Sequence, residues 1–451
     1  SKNSYRNHQE YMQFRYQNQK GKRYWVGKFT LVNLSTPRNA SSGFARESTE
    51  TDIFSNIRKK SLSPKIDLNA NLPLSMNQTL TLGVHGKYSA NSYHRLYQEQ
   101  PFETMTDEDE KALSFQLSAI YNYFSQKHSL SMELFHYHDV WNADYSGNCE
   151  LWQHLWKGES LAFFSYNFQA SRRLSLKTRI GLDWLQYHLH GNNSFSQLSP
   201  RINTNVQYQL NKGMLLWSFN FVNSNHGMDI INRAMIQVNS HMMEKGMPEL
   251  KKSHDINTYL YYMGRFNRLS VSAIGQFRYN HHPVTDDYYL DEANGKIVKT
   301  YSNGGNAQYY SAILALQYKL CKFANLSGDI RYSHAEVTTT WSKHNNNLTG
   351  NLGLNMFMGD FALKPYLHFG KKSLDEAALV ISKTPIDYGM SCSYSRGNLY
   401  VELQAVSPFK KQEKRYWLDL PIYSYSKSIK DQTASQYASI KVAYSFDFGR
   451  K

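Results

Sequence analysis

"LSLKTRIGLDW", residues 174–184, alternates without a break. Leu174, Leu176, Thr178, Ile180, Leu182 and Trp184 fall on one side, and Ser175, Lys177, Arg179, Gly181 and Asp183 on the other. Successive side chains of a strand point to opposite faces, so this is a strand with one apolar face and one polar, charged face. The same period of two returns in Leu113, Phe115, Leu117, Ala119 and Tyr121, in Leu269, Val271, Ala273 and Phe277, and in Leu399, Val401, Leu403 and Ala405. It includes Cys392, a small apolar residue in the series Ile386, Tyr388, Met390, Cys392, Tyr394, and closes the chain in Ile440, Val442, Tyr444, Phe446 and Phe448. Charged residues keep to the second face. A soluble sandwich would turn that face outward and a membrane barrel would turn it inward, and alternation alone does not separate the two.

Composition narrows the choice. The 451 residues include 34 Tyr, 23 Phe and 8 Trp, yet the mean hydropathy is only -0.61. No apolar run approaches the roughly 20 residues of a membrane-spanning helix. A closed sheet of alternating strands remains, because it offers lipid a continuous apolar band at low average hydropathy. Cys149, Cys321 and Cys392 are too widely spaced for a disulfide framework or a metal motif. The net charge of +15 comes with no basic run and no nucleic-acid motif, so it reads as spread over loops and a wet interior. The opening "SKNSYRNHQE" lacks the apolar core of a signal peptide, so an exported chain that starts this way is processed or is a fragment.

Connection lengths point to the barrel. Tight turns are expected near 18–22, 75–78, 126–128, 171–173, 211–213, 265–267, 322–324, 359–360 and 397–398, and longer polar connections at Ser35 to Lys60, Asn223 to Lys252, His282 to Asn303 and Phe409 to Thr433. Short and long links in alternation are the mark of an up-and-down barrel, with short turns at one rim and loops at the other. Stretches such as Ala324 to Trp341 and Leu130 to Tyr145 exceed the usual globular strand. Trp141, Trp184 and Trp217 suit an interfacial girdle. Pro64 and Pro200 are expected at strand entrances, where a missing N–H is tolerated. The count is about nineteen strands in an all-β, transmembrane, antiparallel barrel over residues 1–451.

Two features carry a resemblance. The terminal strand with Tyr444, Phe446 and Phe448 looks like the C-terminal signal by which outer-membrane barrels are recognised by the barrel-assembly machinery, although three further residues follow the last aromatic. "GMPELKKSHDINTYLYY", from Gly246, resembles the G-N-P-x-L-x-P segment of TonB-dependent receptors, especially the outer-membrane β-barrel family with a carboxypeptidase-like regulatory domain. Gly246, Pro248 and Leu250 match it, with Met247 in place of the usual Asn and Lys252 in place of the usual Pro; "LSPRIN" at 198–203 falls where that family has a similar phrase. The resemblance implies a barrel of about 22 strands behind an N-terminal plug in the outer membrane of a Gram-negative bacterium. This chain would be its C-terminal part, lacking the plug, the energy-coupling box and about three strands. It also implies uptake of an unknown small ligand driven by a TonB-type protein, with no bond made or broken, and contact with outer-membrane lipid and lipopolysaccharide.

Catalytic and cofactor chemistry finds little footing. "HYHD" at 136–139 and "HLH" at 188–190 each set two histidines two apart, which could ligate a metal, but no third ligand is assignable; His136, His138, His188 and His190 are also read as strand-end residues near an interface. "DEDE" at 107–110 lacks the spacing of a calcium loop and reads as a solvated loop. "FGKK" at 369–372 and "FKKQEKR" at 409–415 read as basic loop segments, and "NGGN" at 303–306 as a flexible loop end with no phosphate-binding helix behind it. The expectation is therefore a non-enzymatic receptor barrel without cofactor or nucleic acid. A passive porin or structural barrel is the alternative, and a barrel hydrolase a more distant one. Lumen-facing candidates are Lys177, Arg179, Asp183, Asp329 and Arg331.

Overall fold

The computed structural model describes residues 2–46, 50–192, 194–224, 226–409, 413–429 and 436–446. In chain order the strands are β1 (Lys2–Lys20), β2 (Arg23–Arg46), β3 (Glu50–Ser75), β4 (Gln78–Glu99), β5 (Phe102–Phe124), β6 (His128–Gly147), β7 (Leu151–Gln169), β8 (Leu174–Leu189), β9 (Phe195–Leu210) and β10 (Gly213–Ser224). One short helix, α1 (Met228–Ile231), follows. Then come β11 (Met235–Gln237), β12 (Met242–Lys245), β13 (Ser253–Phe266), β14 (Leu269–His281), β15 (Thr285–Asp291), β16 (Lys296–Ser302), β17 (Asn306–Cys321), β18 (Ala324–Thr338) and β19 (Ser342–Met358). The chain continues with β20 (Phe361–His368), β21 (Lys371–Asp375), β22 (Val380–Thr384), β23 (Asp387–Arg396), β24 (Leu399–Val406), β25 (Lys414–Asp419), β26 (Ser424–Ile429) and β27 (Tyr437–Tyr444).

Nineteen of these strands form one up-and-down antiparallel sheet, the count expected from the sequence. At one rim nine tight turns join them in pairs. Gly21, Gly359 and Gly397 occupy the left-handed region there (φ 61°, 61° and 54°), and Asn267 does the same at φ 53°. A residue with a Cβ is strained in that region, which is why these turns use glycine or asparagine.

The register stacks apolar residues on one face from strand to strand. Ile180 sits between Phe164 and Ile202, and Leu314 between Ala273 and Ile330. These side chains are exposed in the isolated chain, Ile330 at 52% and Leu134 at 59%. The opposite face is concave. Arg179 on β8 reaches Glu133 on β6 at 2.5 Å, and Arg201 on β9 reaches Glu159 on β7 at 3.2 Å, each across an intervening strand. Side chains two strands apart meet only on the inside of a curved sheet. The charged face is therefore the lumen and the apolar face meets lipid.

Several expectations are corrected. Ser35 to Lys60 is not a polar loop: β2 runs to Arg46 and β3 starts at Glu50, paired across the stretch with a register shift between Thr36 and Ala40, at Pro37. The "DEDE" residues are not a loop either. They lie inside β5, whose alternation continues above the apolar band with polar residues on both faces. His136 and His138 are in the body of β6, facing out beside Leu117 and Phe115, not at a strand end. Trp141 belongs to the inner phase of β6, whereas Trp184 and Trp217 face out. Pro64 and Pro200 lie within β3 and β9 rather than at their entrances; Pro200 pairs with Leu182 while β10 pairing begins only at Ile202, so its missing N–H deprives no ladder partner. At the outer rim β4 and β5 are joined by a tight link at 100–101, so long loops do not occur at every outer connection.

An odd number of alternating strands leaves the first and last running the same way. Among the described residues β1 pairs only with β2, and β27 only with β24.

Candidate functional site

The outer rim is covered by segments of the long connections. Residues 226–252, between β10 and β13, carry α1, β11 and β12. Met228, Ile231 and Ala234 bury themselves against Ala143, Tyr145, Leu155 and Leu189, which point inward from β6, β7 and β8. The hairpin β15–β16 joins this layer through a parallel pairing, Met242 with Ile297 and Glu244 with Lys299, giving a four-stranded sheet β11-β12-β16-β15. A second small sheet, β21-β22-β25-β26, packs on the same hairpin through Tyr288, Leu379, Val380, Leu418 and Leu420.

Gly246 follows β12, where a Cβ would collide with the carbonyl oxygens of Asn232 and Ile230. The Met247 amide donates to Ile230 O at 2.7 Å, the Tyr187 hydroxyl donates to Pro248 O at 3.4 Å, and Leu250 is buried. The glycine, proline and leucine singled out in the sequence thus sit where the connection returns to the wall. At its end Lys252 Nζ donates to Asp183 Oδ2 at 2.9 Å, with both side chains fully buried. Arg201 donates to the same oxygen at 2.7 Å and to Asn223 O at 3.3 Å. Both ends of the connection are therefore fastened to one carboxylate on β8. Buried charges persist only when paired in this way. Asp183 Oδ1 and the Ser199 hydroxyl, opposite it on β9, are buried with no hydrogen-bond partner among the described residues.

Between the wall and this layer lies a cavity of about 480 Å³. The wall contributes Tyr93, Arg95, Glu108, Glu110, Trp141 and Tyr145, the connection Asp229, Asn232, Glu244 and Lys245, and the hairpin Lys299 and Tyr301. Arg95 faces Glu244 at 3.7 Å, and Lys299 faces Asp286 at 3.1 Å. Glu108 and Glu110 accept from neutral donors, the Tyr145 hydroxyl and the Asn91 amide, each at 3.1 Å. Burial lifts the Glu108 carboxyl above the ordinary glutamate range, with the charge of Glu110 adding to it. Burial, then the charge of Glu108, drives the Tyr145 hydroxyl far above its usual value. The cavity is thus an aromatic, partly dehydrated chamber lined by charges of both signs, suited to a polar organic ligand. Glu108 and Glu110 escaped the sequence reading as site residues. The signal was present: Thr106, Glu108, Glu110 and Ser114 continue the polar phase of β5.

Lys177, Arg179 and Asp183 lie on the inner phase of β8, and Asp329 and Arg331 on that of β18. Asp183 meets Arg201 and Lys252, Arg179 meets Glu133, and Asp329 accepts from Asn351 at 2.8 Å. None of the five lines the outer cavity. Asp329 instead borders an open hollow of about 660 Å³ on the inner wall, lined by Ser270, Gln317, Asn351 and Tyr366 together with Leu316 and Leu352. Tyr444 is on the outward phase of β27 with the Phe446 ring 4.8 Å away, and Phe448 lies outside the described residues. His136 and His188 bond Ser160 and Ser194, and no group of three or more His, Cys, Asp or Glu among the described residues is placed to hold a metal.

No family model matches this chain, and no curated protein matches it in sequence. Solved structures do match in fold. The copper transporter OprC superposes with a TM-score of 0.60 over 89% of this chain and 74% of its own, at 10% identity. The siderophore receptor PiuA from Acinetobacter baumannii gives 0.55 over 97% and 77%, also at 10% identity. The ferric yersiniabactin uptake receptor FyuA from Yersinia pestis gives 0.57 over 94% and 71%, again at 10% identity. The fold is that of TonB-dependent receptor barrels.

Proposed function

We propose that this chain is the barrel wall of an outer-membrane receptor that captures a ligand at its outer rim and passes it inward through the lumen. The observation that carries this reading is the cavity of about 480 Å³ between the inner wall and a folded outer layer. A simple pore has no use for a layer fastened to its wall by a buried Lys252–Asp183 pair. The likeness in fold to a copper transporter, a siderophore receptor and a ferric yersiniabactin uptake receptor supports uptake as the activity. The ligand itself is set by the chamber's side chains.

The reading extends to a plug and to energy coupling. The hollow around Asp329 and Asn351, with polar and apolar side chains in its lining, suits the side of a plug, which a TonB-type protein would pull. Nineteen antiparallel strands cannot close on themselves antiparallel, so we take residues 1–451 as the C-terminal part of a barrel that three further strands complete to 22.

The test is the intact mass of the native protein, detected in outer membranes with an antibody against its last strand, together with ligand uptake before and after deletion of the coupling protein. A species well above 52.5 kDa and uptake lost on deletion are expected. A species at 52.5 kDa with uptake indifferent to coupling would replace this reading with a passive pore.

A further inference from the structure

The small sheet β21-β22-β25-β26 has two unlike faces. Val380, Tyr416 and Leu418 turn toward the core shared with Tyr288 of the hairpin. On the opposite phase three cations stand in one line, one to a strand: Lys372 pairs with Lys383, Lys383 with Arg415, and Arg415 with Ser428. All three cations are exposed. Beside that line runs a second, in which Ile381 pairs with Trp417 and Trp417 with Ser426. Among the described residues β26 pairs only with β25, so both lines end at an open edge.

Residues directly opposite on neighbouring strands have Cβ atoms about 4.5–5.5 Å apart, and like charges at that separation destabilise the pair. The acids of this face offset the line only at one end. Glu413 meets Arg415 at 3.2 Å and also accepts from the Ser428 hydroxyl, while Asp419 lies beyond Trp417 on β25. Lys372 and Lys383 form no ion pair among the described residues. Lys372 leans across β22 instead, and its Nζ is 5.8 Å from the centre of the Trp417 ring. The face therefore sets evenly repeated, largely unneutralised positive charge beside an indole.

We propose that this face docks a linear anionic polysaccharide, with its carboxylates or sulfates on Lys372, Lys383 and Arg415 and a sugar ring on Trp417. Charge complementarity calls for an anion, which removes the repulsion along the line. The repeat calls for a polymer: a lone phosphate or carboxylate reaches one or two of the cations, whereas a chain charged at each unit meets all three. The indole calls for sugar. It is half-buried, so its open side is fixed in place to receive a C–H surface, and the Ser426 hydroxyl directly across from it can bond the hydroxyls of the ring. None of these residues lines the cavity between the wall and the outer layer, so the docking face stands whether or not that cavity holds the ligand.

Equilibrium binding of labelled polygalacturonate and dextran sulfate to the native protein in detergent tests this, each against its uncharged counterpart, the methyl ester and plain dextran. The charged chains should bind roughly ten-fold more tightly than the uncharged ones at low salt, and more tightly than polyglutamate of equal charge, which lacks the ring. The K372Q/K383Q/R415Q variant should lose roughly ten-fold in affinity for both charged chains, and K372R/K383R should keep it. Trp417→Leu should bring both down to the level of polyglutamate. Parity between charged and uncharged chains, or no loss in the triple variant, would overturn the docking face. Equally tight binding of polyglutamate or single-stranded DNA would reduce it to a cationic surface without preference for sugar, and so overturn the proposal too. The comparisons on the unaltered protein decide the matter even if a variant does not fold.

Discussion

Asp183 shows how much one carboxylate can govern here. It is fully buried, and its Oδ2 takes both Lys252 and Arg201. Lys252→Met removes one of its two cations and leaves a buried charge half compensated, a change that costs about 3–5 kcal/mol in other buried pairs. The expected outcome is that protease cleaves within residues 226–252 of the folded variant while the barrel stays resistant to heat in gel electrophoresis; an uncleaved connection would show that the pair does not fasten it. The cavity makes a pH prediction. The Glu108 carboxyl is raised by burial, so between the ordinary glutamate value and its own the folded protein keeps a proton that the unfolded chain has released. Glu108 therefore favours the folded layer at low pH, and that contribution is lost as pH rises through the window. Glu108→Gln should flatten the dependence of layer stability on pH there, measured by hydrogen exchange of residues 226–252.

At the scale of the strand, the two faces differ in what they tolerate. Leu314 meets lipid, and arginine there is expected to cost about 2–4 kcal/mol near the bilayer centre. Arginine at Gln317, on the inner phase of the same strand, should cost under about 1 kcal/mol, because it enters water. Equal losses in urea unfolding of the two variants would reverse the assignment of faces. Such elements were legible in the sequence: Leu174 to Trp184 announced β8 and its faces, and the nine tight turns fell where glycine, asparagine and charged residues cluster. The outer rim was not. Above the lipid both faces of a strand are wet, so residues 35–46 and 107–110 lose the apolar alternation while keeping the backbone pairing. Lys252 read as a departure from a motif, because its partner Asp183 is 69 positions away and only the fold brings them together.

At the scale of the whole molecule, the strand count is the sharpest constraint. If three further strands complete the barrel, four spacings of about 4.8 Å place β1 and β27 about 19 Å apart. Cysteines introduced at Gln13 and Lys441, in a background without the native three, should then fail to form a disulfide in the native protein, which needs Cα atoms within about 7 Å. Efficient cross-linking would show that the two edges meet. Because β12 and β16 share backbone hydrogen bonds, the connection at 226–252 and the hairpin at 285–302 are one object. Neither can withdraw without breaking the ladder that joins them. Were the layer to open, the connection and the hairpin would have to leave together, so the entrance would have two states where independent flaps would have four.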